Sequence, residues 1–229
     1  MLDNIIYLNE ISCAYNFIKK AAHSSTLIFL AEILNANRLA NIDLSQYEEV
    51  KNHMWARRTP AREIDRIGTE FDIYLFTVVR NPYSRLLSAY IQKSNRLRML
   101  GKEPTIPGFD RVSKEGFSEF ISYLENGALR TSPYWIPQTE LLHFRLSRCN
   151  RIARVESLSS DLSMIVSDLG LRWPASLDAS SPHPLEVQTG RKVFSIGNKL
   201  SEFYDKKVAE RVYLLYRNDF DAFSYEVTY

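Results

Sequence analysis

Residues 74–91 restrict the fold more than any other stretch of this 229-residue chain. Tyr74 to Val79 is apolar and β-branched, the composition of a strand covered on both faces. Asn81-Pro82 ends that run, and Pro82 suits the first position of a helix. Leu86, Leu87, Tyr90 and Ile91 then recur at helical spacing. A buried strand that passes at once into a helix is a unit of an α/β sheet. Arg80 falls at the carboxyl end of the strand, beside the helix N-terminus. Open α/β sheets bind ligands there, and backbone N–H groups at a helix start attract anions. Arg85 and Ser88 follow in the first turns of the helix. A guanidinium at the strand end and a hydroxyl two turns on can grip one phosphate. The same spacing also describes an ordinary strand, turn and helix with solvated arginines.

The rest of the chain alternates in the same way. Residues 4–8 read as a buried strand, and a helical stretch is expected from Ala14 to Ala22. Leu27, Leu30, Ile33 and Leu34 mark a second helix within 24–40. Residues 41–70 are polar and charged, and 101–115 form a loop rich in Pro and Gly. Phe117 to Leu124 reads as a short helix. Ser132 to Gln138 is extended, because residues before proline avoid the α region. Arg151 to Val155 reads as a further strand, Ser159 to Leu169 as a helix, 173–195 as a long loop and Ser201 to Tyr216 as a long helix. The expected fold is therefore α/β, one domain over 1–229, with helices flanking a central parallel sheet.

Composition narrows the function. A formal net charge of +2 is too mild for a nucleic-acid binder. Two cysteines, Cys13 and Cys149, provide neither a disulfide framework nor, with four histidines, a zinc site. No run approaches the roughly 18 apolar residues of a transmembrane helix. Gly-x-x-x-x-Gly-Lys-Ser/Thr is absent, which argues against a kinase of the P-loop class.

The run Arg80-Asn-Pro-Tyr-x-Arg-Leu-x-Ser-x-Tyr90 resembles the 3′-phosphate-binding motif of sulfotransferases that use 3′-phosphoadenosine 5′-phosphosulfate (PAPS), and in particular their carbohydrate sulfotransferase branch. Phe117-Ser-Glu-Phe120, Trp135-Ile-Pro-Gln138, Arg154-Val-Glu156 and Tyr216 to Tyr225 are similar to further landmarks of that family. The resemblance implies a P-loop-like α/β fold with a central parallel sheet. It implies that Arg80 and Ser88 hold the 3′-phosphate of PAPS, and that a hydroxyl of a carbohydrate accepts the sulfuryl group. It implies no metal, because the donor is already activated. Animal Golgi members carry an N-terminal anchor. This chain starts at Met1 with no basic or long apolar leader, so a cytoplasmic, bacterial-type enzyme is expected.

In the family's second signature a Pro-Lys pair leads a small-residue turn, and Thr or Ser opens a helix that cradles the 5′-phosphosulfate. Laid on Ile6 to Ala21, that pattern puts Ile11-Ser12 at Pro-Lys, Tyr15 at a small residue and Asn16-Phe17 at the hydroxyl pair. Ser12 and Asn16 would then form the cradle. Lys19, Lys20, Arg57 or Arg58 would replace the lysine, or the chain would bind nucleotide or glycan without transfer. A late basic pair, Arg191-Lys192, would close over the 3′-phosphate.

Transfer to a hydroxyl needs a base, and His has a suitable pKa. His53 lies between the two donor motifs, with Trp55 beside it to stack on a sugar, and is the expected base. His143 is expected to pack near a helix end, His23 to be solvated, and His183 to sit in the late loop. Glu156 is the rival base. Tyr134 stands where many relatives have His before the Trp.

Overall fold

A computed structural model of the protein describes residues 4–69, 71–175 and 199–228. They fall into two compact units, Met1–Val79 with Leu142–Val193 and Arg80–Leu141 with Phe194–Tyr229.

The first unit holds the sheet. Its strands are β1 (Ile5–Leu8), β2 (Cys13–Asn16), β3 (Tyr74–Val79) and β4 (Arg151–Arg154), in spatial order β1-β2-β3-β4. Its helices are α1 (His23–Ala36), α2 (Tyr47–Trp55), α3 (Ala61–Ile67) and α7 (Leu158–Asp168). β2, β3 and β4 run parallel, as expected, and β1 pairs antiparallel with β2. The segment around Arg58 bridges Ile6 from the outer side, with Tyr7 donating its N–H to the Arg57 carbonyl at 3.1 Å, so the edge of β1 is covered.

Alternation along the strands separates two cores. Cys13 and Tyr15 of β2 and Phe76 and Val78 of β3 pack with Leu27, Leu30 and Leu34 of α1 and with Leu162 and Ile165 of α7. Ala14 and Leu75 face the other way, toward Ile64 of α3 and Phe144. Both faces are buried, which explains the continuous apolar reading of β3.

The expected helix at Ala14 to Ala22 is not formed. Residues Cys13–Asn16 are all buried and pair with β3, and a buried run this short has no period that separates helix from strand. The hairpin joining β1 to β2 carries no Gly or Pro. It turns through Asn9–Ile11 and then Ser12, a non-glycine residue in the left-handed region at φ 47°.

The second unit contains α4 (Pro82–Met99), α5 (Lys114–Glu125), α6 (Gln138–Leu141), α8 (Leu200–Phe203) and α9 (Lys206–Ala222). Each long helix starts on a side-chain cap. Asn81 Oδ1 accepts from Tyr83 N at 2.9 Å, Ser113 Oγ from Gly116 N at 3.1 Å, and Asp205 Oδ1 from Val208 N at 2.9 Å. The core is aromatic: Tyr83, Tyr90, Phe117, Phe120, Trp135 and Phe220 are all buried in it. The Tyr90 hydroxyl donates to the Arg111 carbonyl at 2.6 Å. Gly108 (φ 79°) passes so close to Gly116 that an added Cβ would meet the Gly116 carbonyl oxygen at 1.9 Å.

Among the described residues no helix is long and apolar enough to cross a membrane. The tightest polar knot in this unit is around Asp219, which is fully buried. Its carboxylate accepts from Gln138 N at 2.7 Å, Thr139 N at 2.9 Å and Thr139 Oγ1 at 2.9 Å. Replacing Asp219 with Ala strands two buried backbone donors. The variant is expected to lose about 3 kcal/mol of stability or more, measured as a lower urea midpoint at unchanged slope.

Candidate functional site

Arg80 is the first residue past β3, and its place is set from α6. Arg80 N donates to Gln138 Oε1 at 2.9 Å, and Gln138 Nε2 donates to the Arg80 carbonyl at 2.8 Å. One amide side chain thus satisfies both backbone groups of Arg80, as a neighbouring strand would. Asp219 in turn holds Gln138. The Arg80 side chain donates from Nε to Ser84 Oγ at 3.0 Å, and Ser84 Oγ donates to the Asn81 carbonyl at 3.1 Å. Ser88 lies one turn beyond Ser84 on the same helix face and is 6% exposed. A guanidinium whose plane is fixed at Nε and two hydroxyls stacked along the start of α4 therefore lie together. Such a group is suited to a doubly charged oxyanion.

Arg85 is a strut. It is 2% exposed, and it donates from Nη1 to the Ile136 carbonyl at 2.9 Å and from Nη2 to the Pro133 carbonyl at 3.3 Å. Those bonds fix the extended segment that delivers Gln138. Tyr134, in the same segment, carries Lys93 Nζ at 3.7 Å from its ring centroid.

In the first unit, the parallel strand that leads through a loop into a helix is β2, not β1. The loop is Phe17 to Ala22, and α1 opens at His23, followed by Ser24 and Ser25. Lys19-Lys20 followed by Ala21-Ala22 puts two lysines and a pair of small residues in this strand-to-helix loop. The backbone is shaped by non-glycine residues in the left-handed region, Lys20 at φ 71° and Ala22 at φ 49°. Strain of this kind concentrates where a loop must present its amides in one arrangement. Ala22 precedes α1 and offers no side-chain cap to the first turn.

Positive charge gathers at this loop. Lys19 Nζ lies 5.1 Å from the Phe17 ring centroid and 5.6 Å from that of Trp55. The Arg58 guanidinium lies 5.8 Å and 5.7 Å from the same two rings, and Lys51 Nζ 5.2 Å from Trp55. Burial, then the charges of Arg58 and Lys51, hold the Lys19 ammonium below the usual lysine range. Lys51 also pairs with Glu48 at 2.5 Å, and a cluster of this sign attracts an anion.

Ser12 and Asn16 lie in the frame of the sheet. The Ser12 carbonyl accepts from Tyr74 N at 2.8 Å, in register with the β2–β3 pairing. Asn16 is buried. Its Oδ1 accepts from His143 N at 2.8 Å, and its carbonyl accepts from Thr77 Oγ1 at 2.8 Å. His143 is also structural, with Nε2 accepting from Asn4 N at 3.2 Å. His53 sits on the side of α2 opposite Lys51 and Trp55, since two residues turn a helix by about 200°. Its Nε2 is 3.1 Å from Arg57 Nη2, and Arg57 also pairs with Glu10 at 2.7 Å. Arginine only donates, so Nε2 accepts there and its lone pair is engaged. Burial and Arg57 lower the His53 pKa, and Glu10 opposes them. Glu156 is exposed just past β4. Arg191, Lys192 and His183 lie outside the described residues.

His23 is not solvated, contrary to expectation. Thr26 N donates to the Ala22 carbonyl at 2.9 Å, closing the first turn of α1 and carrying the imidazole inward until it is 8% exposed. Its ring stacks on Phe17 at 4.3 Å.

A protein-family model described as the sulfotransferase family matches residues 3–226, and the chain belongs to that family. No curated protein and no solved structure matches it.

Burial, then the Lys19 and Arg58 charges, push the His23 pKa from 6.5 down to about 3. Between those values the unfolded chain binds a proton that the folded one does not, so stability rises with pH there and falls as pH drops. His23→Phe removes this contribution. In urea titrations from pH 6.5 to 4.5, the variant is expected to lose less stability than the wild type, by up to about 1.4 kcal/mol per pH unit.

Proposed function

We propose that this member of the sulfotransferase family transfers a sulfuryl group from PAPS to a hydroxyl of a carbohydrate. The observation that carries the donor assignment is the clamped Arg80, with its guanidinium held by Ser84 and with Ser88 in the next turn. Arg80 and Ser88 would hold the 3′-phosphate. Arg80 supplies bidentate charge-assisted hydrogen bonds, and Ser88 supplies a hydroxyl at the start of α4.

The loop from Phe17 to Ala22 and the opening of α1 would receive the 5′-phosphosulfate. Lys19 is the residue assigned to the charge that develops as the bond to sulfur breaks. A partly desolvated ammonium acts more strongly on that charge than one in water. PAPS brings the activated sulfuryl group, and the chain supplies orientation and electrostatic stabilisation. Ser12 at the expected lysine position, together with Tyr134, would fit a protein that binds nucleotide or glycan without transfer. With Lys19 and Lys20 in the strand-to-helix loop, no observation favours that reading.

A carbohydrate acceptor is supported by Trp55, which is 37% exposed beside Lys51 and Lys19. A half-exposed indole next to cations suits the apolar face of a sugar ring.

Calorimetric titration with adenosine 3′,5′-bisphosphate, the spent donor, tests the reading. Arg80→Ala is expected to weaken binding roughly 10- to 100-fold, about 1.5–3 kcal/mol for a lost charged hydrogen bond. Lys19→Ala is expected to slow sulfuryl transfer about 10²- to 10³-fold, the loss typical of one preorganised electrostatic group. Wild-type protein that is folded and does not bind the bisphosphate would overturn the assignment.

A further inference from the structure

The roles above leave His23 unused. It is buried, it opens a helix of 14 residues, and neither Nδ1 nor Nε2 has a hydrogen-bond partner among the described residues. Buried ring nitrogens nearly always find partners, because each unpaired group costs about 1–3 kcal/mol. An imidazole stands first in α1, ahead of the hydroxyls of Ser24 and Ser25.

The surroundings define what that imidazole can do. Phe17 covers one face of the ring at 4.3 Å. The charges that act on it are positive, Lys19 from the loop and Arg58 from the segment after α2. Lys51 on α2 adds to the same field through Lys19. The helix N-terminus contributes a further positive potential. Under these influences the ring is neutral at physiological pH, with one N–H donor and one acceptor nitrogen. A neutral donor adds a hydrogen bond to an oxyanion without adding a third positive charge to Lys19 and Arg58. A helix N-terminus is a known means of keeping a functional imidazole in that state.

We propose that His23 is a neutral-imidazole hydrogen-bond donor to the phosphate-type oxyanion received at the start of α1. This rests on the donor assignment above and adds an imidazole contact to those that the start of α1 and its Ser24 and Ser25 can offer. The ring nitrogen donates its N–H to a ligand oxygen and keeps its proton, so the contact persists across the pH range in which an ordinary histidine would change charge.

The test uses adenosine 3′,5′-bisphosphate and the whole chain labelled with ¹⁵N at histidine. With only four histidines, the His23 signals are assigned by their loss in His23→Gln. On adding the bisphosphate at pH 7.5, one His23 ring nitrogen is expected to shift while both stay in the range of a neutral ring. By calorimetry, His23→Phe, which keeps the stack on Phe17, is expected to bind roughly 5- to 10-fold more weakly. His23→Gln, which restores an N–H donor, is expected to stay within about 3-fold of the wild type. A merely structural role would not separate Gln from Phe in this order. Unshifted His23 signals, a protonated ring in the complex, or full affinity in His23→Phe would overturn the proposal while leaving the donor assignment intact. Absence of bisphosphate binding by the wild type would remove both.

Discussion

The position of Arg80 depends on one amide side chain. A strand that ends in a parallel sheet exposes a backbone N–H and C=O that must be paired or solvated. Gln138, 58 residues further along, pairs both. It is itself held at its N–H by a buried carboxylate, Asp219. Arg85 fixes the segment leading to Gln138 through two carbonyls. Three separate stretches of sequence, Arg80 to Ser88, Pro133 to Thr139 and Asp219, therefore converge on one guanidinium. Gln138, Asp219 and Arg85 thus hold the strand-end arginine in place from within the protein.

The two units hold polar groups in different ways. The first surrounds its sheet with aliphatic side chains and concentrates cations on aromatic rings at the loop before α1. The second has an aromatic core and buries Arg85 against two backbone carbonyls and Asp219 against two backbone N–H groups and a hydroxyl. A buried ion with its hydrogen bonds satisfied serves geometry. Lys19, in the loop after β2, lies instead among like charges, and burial, Arg58 and Lys51 hold its ammonium below the usual lysine range.

Much of this was legible in the sequence where a local rule governed it. β3 announced itself by a β-branched run, its end by Asn-Pro, and α4 by spacing. The cap at Asn81 and Pro82 at N1 agree with the chemistry of those residue types. β2 was missed because four buried residues carry no period, and its identity comes from pairing with a strand some sixty positions away. Because β2, and not β1, leads into a helix, Lys19 and Lys20 fall in the loop between strand and helix, whereas Ser12 falls in the hairpin before β2. The reach of Gln138 was not legible, since a tertiary hydrogen bond leaves no local signature. The burial of His23 was hidden by its neighbours, because His-Ser-Ser reads as a solvated helix start. A cue was available: Phe17 and Ile18 before it and Leu27 and Ile28 after it are apolar, so the loop between them is anchored in the core.

Lys20 and Ala22 occupy a backbone region that glycine adopts without cost and that other residues enter at about 1–2 kcal/mol. A glycine-rich loop samples many shapes in solution and must surrender that freedom when it closes on an anion. A loop of lysine and alanine has fewer shapes to give up, and packing has already selected one of them. Its strain is met once, during folding, by the cores around β2 and α1. Under the proposed donor assignment, the encounter with an oxyanion would carry little ordering entropy, and selectivity would fall to a cradle whose dimensions are set in advance.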